Sequence, residues 1–259
     1  MSEDEKIVEQ FCVGLRKLFS TRSNWTYVMP LLFNVESCAM CQLCVDECPV
    51  YKATREEKLM PVYRSELFRR IVRDCLKGPR SVSSKKDEVY RSIEELYRLS
   101  YSCTLCRRCA QACPLGLDNS VITRELRKLF SQELGWAPKE LHIDGTCLHL
   151  AKGSPTGMSS QILVKEVEFI VEDYSKTFGM ELQCTWDMPE ADILFIPSIG
   201  ELFVEPENFI SMIILLHIRG EAWTLPSSPP LYDGVNYGVF YDDIQLIRIL
   251  SAHLKLIKN

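Results

Sequence analysis

The sequence predicts an α+β protein with a helical N-terminal domain and a small α/β domain at the C-terminal end. Two cysteine quartets of identical spacing lie in the first half, among segments whose apolar residues recur at helical intervals. After about residue 160, short apolar runs typical of strands alternate with helical segments, which favours parallel strands. The predicted domains are residues 1–145 and residues 160–259.

The first half contains four segments with helical periodicity and none that alternates as a strand would. Gly78-Pro79 ends the second of these segments, and Gly135 ends the fourth, as expected of helix-terminating residues. No secondary structure is predicted for the apolar stretch Trp25–Val35, which lies just before the first quartet. The predicted helices are residues 4–19, 64–77, 86–100 and a segment that begins near residue 121.

Residues 140–160 are rich in Gly, Ser and Pro, and we expect them to connect the two domains. Beyond this connector the pattern becomes mixed. Residues 192–197 contain a short apolar run, Ile-Leu-Phe-Ile, of the kind that forms a buried strand. The predicted helices are residues 162–178, 207–219 and 242–256, and the predicted strands are residues 182–186, 192–197 and 222–225.

Composition indicates an ordinary soluble protein, with 46% hydrophobic and 25% charged residues. The acidic start of the chain lacks the basic and apolar run of a secretion signal. The apolar stretch from Phe209 to Ile218 is shorter than the roughly 20 residues that span a bilayer. We therefore expect a cytoplasmic protein without a direct membrane span. In such a reducing compartment, its 12 cysteines indicate metal or redox chemistry.

Eight cysteines form two quartets with the spacing C-x2-C-x2-C-x3-C-P of bacterial ferredoxins. Two residues between thiolates let one tight loop surround three corners of a cubane cluster. Structural zinc sites instead pair a C-x2-C with a distant second pair, so zinc fits this pattern poorly. We predict two [4Fe–4S] clusters, held by Cys38, Cys41, Cys44 and Cys48 in one quartet and by Cys103, Cys106, Cys109 and Cys113 in the other.

The fourth cysteine of each run is expected to bind the other cluster, as in two-cluster ferredoxins. One cluster then takes Cys113 with the first triplet, and the other takes Cys48 with the second triplet. Arg107 and Arg108 lie inside the second loop, where positive charge favours a reduced cluster. A solvated arginine pair is the alternative for these two residues.

The remaining four cysteines lie outside the two quartets, and we do not expect them to bind the clusters. Cys12 and Cys75 lie on apolar helix faces and Cys184 lies in a predicted strand, so we predict core positions for all three. Cys147, which has His142 and His149 nearby, is left open between a third metal site and no site. Without a catalytic triad, nucleotide fingerprint or flavin motif, the chain is predicted to be a non-catalytic electron-transfer subunit of an oxidoreductase complex.

Residues 64–91 contain nine basic and four acidic side chains. A solvated helix face and a docking surface for an acidic partner are both open for this region. Nucleic-acid binding is not expected, because the sequence pI is near 5.5 and no aromatic and basic motif of a nucleic-acid module occurs.

The paired quartets on a helical scaffold, over residues 30–135, resemble the C-type iron–sulfur subunits of the heterodisulfide reductase family. Residues 152–158 are similar to the Gly-Asn-Pro-x-Gly connector of fused family members. The C-terminal domain resembles a cysteine-free half of the Cys-Cys-Gly domain that follows in those proteins. Here Pro197-Ser198-Ile199-Gly200 stands where the family has Gly-Cys, and no adjacent cysteine pair occurs.

This resemblance implies a relay that passes electrons through two clusters to or from a separate B-type catalytic subunit. A flavin-containing or ferredoxin-linked subunit is expected in the same complex, and the sulfur-oxidising version of the complex is one form that the resemblance allows. The related iron–sulfur subunits of flavin-dependent dehydrogenases, of the glycerol-3-phosphate or glycolate type, give one alternative. A non-redox scaffold, whose clusters only hold the fold, is the other.

Overall fold

The computed structural model describes residues 2–20, 28–76, 85–153, 156–228 and 237–258. The chain divides into two compact units. The first consists of Met1–Ala137 and Phe240–Asp242, and the second of Pro138–Val239 and Asp243–Asn259. The domain limits expected from the sequence, 1–145 and 160–259, stay a prediction.

Among its described residues the first unit contains helices and loops but no strand, as the sequence predicts. The helix expected from residue 64 begins earlier, at Pro61. The apolar stretch before the first quartet, for which no secondary structure is predicted, forms a helix from Val28 onward. The helices are α1 (Glu3–Leu18), α2 (Val28–Glu36), α3 (Pro49–Thr54), α4 (Pro61–Leu76), α5 (Lys86–Tyr101), α6 (Arg108–Gln111) and α7 (Asn119–Leu134).

Helix α1 begins at a capping box. The backbone N–H of Glu5 donates to Ser2 Oγ at 3.2 Å, and the N–H of Ser2 donates to Glu5 Oε2 at 3.0 Å. The inner faces of α1, α4, α5 and α7 then pack together, and the aromatic rings of Phe11, Phe68 and Phe130 are fully buried among them. This core supports the loops that carry the cysteine quartets.

Cys12 and Cys75 are buried, as predicted, but they are joined by a disulfide rather than free. The bond links α1 to α4. The prediction of core positions is confirmed, and helix packing, which the sequence did not reveal, places the two Cα atoms 5.2 Å apart, within the range of a disulfide. Nothing in the local pattern around either residue indicates this pairing.

The second unit contains six helices and two short strands among its described residues. Residues 140–152, the first part of the expected connector, are helical and include a π-helical turn at His142–Cys147. Residues 154 and 155 of the connector lie outside the described residues. The elements are α8 (Lys139–Leu141), α9 (Leu148–Lys152), α10 (Ser160–Phe178), β1 (Ile193–Leu194), α11 (Ile199–Phe203), α12 (Pro206–Arg219), β2 (Trp223–Thr224) and α13 (Asp243–Lys258).

The two strands are parallel, with Ile193 opposite Trp223 and Leu194 opposite Thr224. Both are shorter than predicted. The strand expected at residues 182–186 is wrong, apart from a single parallel bridge between Trp186 and Leu225. The backbone N–H of Leu182 instead donates to Ser175 Oγ at 3.2 Å, which ties the segment to the end of α10.

Helices α10 and α12 form the core of the second unit with the strands. Leu163 and Val167 of α10 are buried with Phe209 and Ile213 of α12. The C-terminal domain is expected to resemble a cysteine-free half of a Cys-Cys-Gly domain. It lacks the adjacent cysteine pair of that motif, but it does contain one cysteine, Cys184, which packs against the same core. Its likeness to half of a Cys-Cys-Gly domain stays a prediction.

Candidate iron–sulfur site

The first quartet lies in the loop between α2 and α3. Cys38, Cys41 and Cys44 follow the end of α2, and Cys48 is the N-cap residue of α3. Pro49 is the first residue of that helix, where its missing N–H leaves no hydrogen bond unmade. The proline after the quartet therefore starts the next element immediately, and all four thiols are free.

The second quartet lies in the loop between α5 and α7. Cys103 and Cys106 are in extended loop, Cys109 is in the single turn of α6, and Cys113 follows that turn. Pro114 occupies a turn rather than the start of a helix. The two quartets therefore share their cysteine spacing but continue into different structures after the last cysteine.

Both loops place non-glycine residues in the left-handed backbone region at the same two motif positions. The φ angle is 55° at Met40 and 67° at Gln42, and it is 56° at Leu105 and 62° at Arg107. Each such residue costs roughly 1 kcal/mol, so a repeated pair indicates a requirement of the site. Left-handed residues in a turn direct backbone N–H groups into an anion-binding concavity. One already points inward, because the N–H of Leu105 lies 3.4 Å from the Sγ of Cys103.

A cavity of about 220 Å³, called the first cavity below, lies beside the first loop. Apart from its thiols, its walls are mainly apolar, with side chains such as Val62 and Leu117. The cysteines that line it come from both quartets: Cys38, Cys41, Cys44, Cys109 and Cys113.

A second cavity is narrower, about 20 Å³, and its walls must separate before a cluster fits between them. The side chains of Arg64 and Arg107 line it together with its thiols. The cysteines that line it are Cys48, Cys103, Cys106 and Cys109. Each cavity thus contains three cysteines of one quartet and the fourth cysteine of the other, and Cys109 lines both cavities. Four thiol donors are the ligand set that a [4Fe–4S] cluster requires.

The most buried thiols resist ionisation. Burial, followed by the negative charge of Cys109 and Cys38, raises the pKa of Cys44 to about 11. Burial and Cys103 raise the pKa of Cys109 to about 11, while Arg64 opposes that rise. Because Cys109 of the second quartet raises the pKa of Cys44 in the first quartet, and Cys109 lines both cavities, the two sites adjoin.

Cys106 behaves differently from these buried thiols. Partial burial raises its pKa, but the backbone N–H of Arg108 and the hydroxyl of Thr104 stabilise the thiolate, and the net result is a lowered pKa. An exposed thiol with a lowered pKa favours the thiolate form, which is the form that binds a metal.

An arginine holds the first cysteine of each quartet by its carbonyl oxygen. Arg69 Nη1 donates to the carbonyl of Cys38 at 3.0 Å, and Arg69 is itself ion-paired with Glu66. Arg127 Nη2 donates to the carbonyl of Cys103 at 2.5 Å. The two loops are therefore anchored in the same way, although no cysteine motif contains either arginine.

Asp118 connects the second loop and α2 to the start of α7. Its carboxylate accepts from the backbone N–H of Ser120 at 2.8 Å and from Arg107 Nε at 2.7 Å, while its own N–H donates to Asn34 Oδ1 at 2.5 Å. Burial raises the pKa of Asp118, but the hydrogen bonds from Ser120 and Arg107 outweigh it and lower the pKa overall. Arg107 is therefore ion-paired rather than simply solvated.

The basic segment at residues 64–91 is not one uniform surface. Arg64 is only 3% exposed and lines the second cavity, whereas Arg70 and Arg73 are exposed and ion-paired with Glu66 and Glu36. The solvated-face interpretation is therefore wrong for Arg64. Sequence reasoning missed Arg64, Arg127, Asn34 and Asp118; of these, only Asp118 carried a local signal, as a capping residue before a helical pattern.

Cys147 and the nearby histidines form two separate pairs in the second unit. Cys147 Sγ lies 3.7 Å from His142 Nε2, and His149 Nε2 lies 3.1 Å from His253 Nε2. Within the described parts of the chain, no three metal-binding side chains gather here. Cys184 packs partly buried against the core, where burial and then Glu168 raise its pKa to about 12.

Across the described segments, no helix is both long enough and apolar enough to cross a membrane.

Comparison with known proteins gives a consistent result. A family model described as a 4Fe-4S dicluster domain matches residues 34–117. A protein of Archaeoglobus fulgidus named "Hdr-like menaquinol oxidoreductase iron-sulfur subunit 2" is 29% identical over 233 residues. One of Archaeoglobus profundus named "Hdr-like menaquinol oxidoreductase iron-sulfur subunit" is 26% identical over 226 residues.

Each of these alignments covers 83% of this chain but 40% of the relative. The chain thus spans about two-fifths of the length of the curated relatives that it matches. No solved structure matches the chain.

Proposed function

We propose that this chain, which is a heterodisulfide reductase-like iron–sulfur subunit with a 4Fe–4S dicluster domain, holds two [4Fe–4S] clusters and relays electrons between partner subunits. The observation that carries the proposal is the pairing of each cysteine triplet with the fourth cysteine of the other quartet. Such an arrangement places two one-electron centres side by side, as a relay requires.

The first cluster is proposed to bind Cys38, Cys41, Cys44 and Cys113 at the first cavity. The second cluster is proposed to bind Cys103, Cys106, Cys109 and Cys48 at the second cavity. When bound, each cluster accepts and releases one electron without breaking a bond. The chain's own residues hold the thiolates in place, through the carbonyl anchors Arg69 and Arg127 and the Asn34–Asp118 contact.

The partners are proposed to be a B-type catalytic subunit and a flavin-containing or ferredoxin-linked subunit of the same complex. No adjacent cysteine pair occurs among residues 1–259, so the catalytic cluster that such a pair would bind is proposed to lie outside these residues. The names of the two relatives, which describe iron–sulfur subunits of an oxidoreductase, support membership of a complex. We further propose that residues 1–145 form the cluster domain and residues 160–259 a domain related to half of a Cys-Cys-Gly domain.

The first prediction tests the cluster assignment in protein purified without oxygen. The wild type should contain about eight iron and eight sulfide atoms per chain. Cys41→Ser and Cys106→Ser provide reference EPR spectra, because each removes a ligand from the triplet of one cluster. Cys113→Ser should then resemble Cys41→Ser, and Cys48→Ser should resemble Cys106→Ser, because each fourth cysteine binds the other cluster.

Cys147→Ser is the matched control, since it removes a thiol that lines neither cavity, and it should leave both EPR signals intact. If Cys113→Ser resembled Cys106→Ser, each quartet would bind its own cluster and the crossed assignment would fail. Iron at half the expected content in the wild type would contradict the presence of two clusters.

Native isolation tests the proposed partners. During chromatography of the native complex, the chain should co-elute with a B-type subunit and with a flavin-containing or ferredoxin-linked subunit. Co-purification with glycerol-3-phosphate or glycolate dehydrogenase activity would instead support the flavin-dehydrogenase alternative. Clusters that fail to cycle reversibly in a redox titration would support the scaffold alternative.

A further inference from the structure

The charges around the two cavities differ. Among the described residues that line the first cavity, apart from its thiols none carries an ionisable side chain, and the polar ones are amides such as Gln42 and Asn119. The second cavity is lined by two arginines, Arg64 and Arg107. Arg69, the cation bonded to the first loop, is ion-paired with Glu66, and Arg107 is ion-paired with Asp118, so Arg64 is the cation that distinguishes the second cavity. The second cavity therefore has the more positive surroundings.

Arg64 lies on α4 with only 3% of its surface exposed. Its Nη1 donates to the carbonyl of Leu99 at the long distance of 3.5 Å. Its Nε is buried and has no hydrogen-bond partner among the residues that the structure describes. A buried guanidinium with an unpaired donor is costly unless a negatively charged group completes its contacts.

Arg127 is a second buried cation beside the same loop, with 5% of its surface exposed. It donates to the carbonyl oxygens of Ser100, Cys103 and Phe240, and its guanidinium carbon lies 4.8 Å from the centre of the Tyr101 ring.

The charges of Arg64 and Arg127 repel each other, and burial and Arg64 both lower the pKa of Arg127. Over the described ranges of the chain, neither arginine forms an ion pair with a carboxylate. Two like charges at one buried place call for an anion between or beside them.

We infer that Arg64 and Arg127 are positioning residues for the second cluster and that they make it the higher-potential centre of the two. This inference rests on the proposed function, because it assumes that both clusters are bound. A [4Fe–4S] core with four thiolates is a dianion when oxidised and a trianion when reduced. The extra negative charge is stabilised most where buried cations are nearest, so reduction is more favourable at the second cavity.

The direction of internal electron transfer follows from this difference. A single electron on the chain resides mainly on the second cluster: the first cluster is oxidised by one electron as the second is reduced by one. No bond or proton is exchanged.

The second prediction tests this order by redox titration of the purified wild type, followed by EPR, with iron and sulfide content measured on every sample. Arg64→Met removes the charge at similar length and should lower only the higher of the two midpoint potentials. The reduced-to-oxidised ratio of that cluster at a fixed potential should fall about tenfold, which corresponds to about 59 mV for a one-electron couple. Arg64→Lys keeps the charge and should restore most of the change.

Arg127→Gln keeps donors for the carbonyl oxygens but loses the charge, so it provides the same test if Arg64→Met binds no second cluster. Arg91→Met is the matched control, because it removes an exposed positive charge on α5 from a residue that lines neither cavity. The inference would be overturned if both midpoints stayed unchanged in charge-removing variants that retain two clusters, or if the lower midpoint moved. A wild type without two clusters would overturn the proposed function instead.

Discussion

At the scale of single residues, the candidate site depends on side chains outside the cysteine motif. Asp118 caps α7, accepts a hydrogen bond from Arg107 through its carboxylate and donates its backbone N–H to Asn34, so one residue joins three segments of the first unit. The aspartate stays ionised because its hydrogen bonds outweigh the cost of burial. Such residues set the geometry of the ligands that the motif provides.

His149 gives a residue-scale prediction on the pH dependence of stability. Burial, and then the charge of His253, lower the pKa of His149 from 6.5 to about 4, so the folded protein keeps this ring neutral. The unfolded chain takes up a proton near pH 6.5. The stabilisation due to the neutral ring is therefore complete above the unfolded pKa and is lost as the pH falls toward 4.

The third prediction is that the wild type loses roughly 1 to 2 kcal/mol more of its unfolding free energy than His149→Gln between about pH 7 and pH 5. Denaturant unfolding at the two pH values provides the measurement. His217→Gln, at an exposed position on α12, is the control and should follow the wild type. An equal loss in His149→Gln and wild type would contradict the assignment.

At the scale of elements, close contacts between backbone segments determine where a turn can pack against a helix. The clearest case is Gly238, where an added Cβ would lie 2.1 Å from the backbone N of Leu246 and 2.6 Å from the backbone C of Gln245. Both atoms belong to α13, and backbone atoms within a helix cannot rotate away. The turn that contains Gly238 therefore packs directly on α13 only because this residue has no side chain.

The fourth prediction is that Gly238→Ala destabilises the protein by about 3 kcal/mol, at the upper end of overpacking costs. Gly200→Ala is the matched control, because its Cβ would meet only Ser198 Oγ at 3.8 Å. That control lies in α11 and should be neutral or stabilise by about 0.5 kcal/mol. Chemical unfolding of both variants distinguishes the two results, and similar stabilities would show that the turn can move away from α13.

The disulfide between Cys12 and Cys75 also acts at the scale of elements. It closes a loop with a sequence separation of 63 residues and holds α1 against α4, the helix that carries both Arg64 and Arg69. Cross-links of this length typically stabilise a fold by about 2–4 kcal/mol, chiefly by restricting the unfolded chain. The scaffold of the cysteine loops is therefore covalently tied.

At the scale of the whole molecule, we expect cluster binding and folding of the first unit to be coupled. Without clusters, Arg64 and Arg127 stay buried with no neutralising anion, and the pKa values of Cys44 and Cys109 favour neutral thiols. Metal ligation replaces those protons and supplies the missing negative charge.

The fifth prediction is that removal of iron by a chelator speeds backbone hydrogen exchange in α4 and α7, the helices that carry Arg64 and Arg127. Exchange in α12, which has its own core, is the internal reference and should change little. Reconstitution with iron and sulfide should restore protection in α4 and α7. Unchanged exchange after complete iron loss would contradict the coupling.

Several elements of the fold were predictable because their signals are local. The apolar periodicity of residues 86–100 and 162–178 predicted α5 and α10 within a few residues of their observed bounds. The strand expected at residues 182–186 failed, because a hydrogen bond from Leu182 to Ser175 competes with strand pairing there. The sequence of a short apolar run does not reveal which groups its backbone N–H and C=O groups will hydrogen-bond.

By itself, the sequence predicted the eight candidate cysteines and the type of cofactor that they imply, because the spacing of cysteines around a cubane is a property of one short loop. Only the tertiary structure shows which cysteines line each cavity and which arginines become buried beside them. Those contacts join residues far apart in the chain, such as Cys48 with Cys103 and Arg127 with Cys103. They depend on how α4, α5 and α7 pack, a property that no local pattern carries.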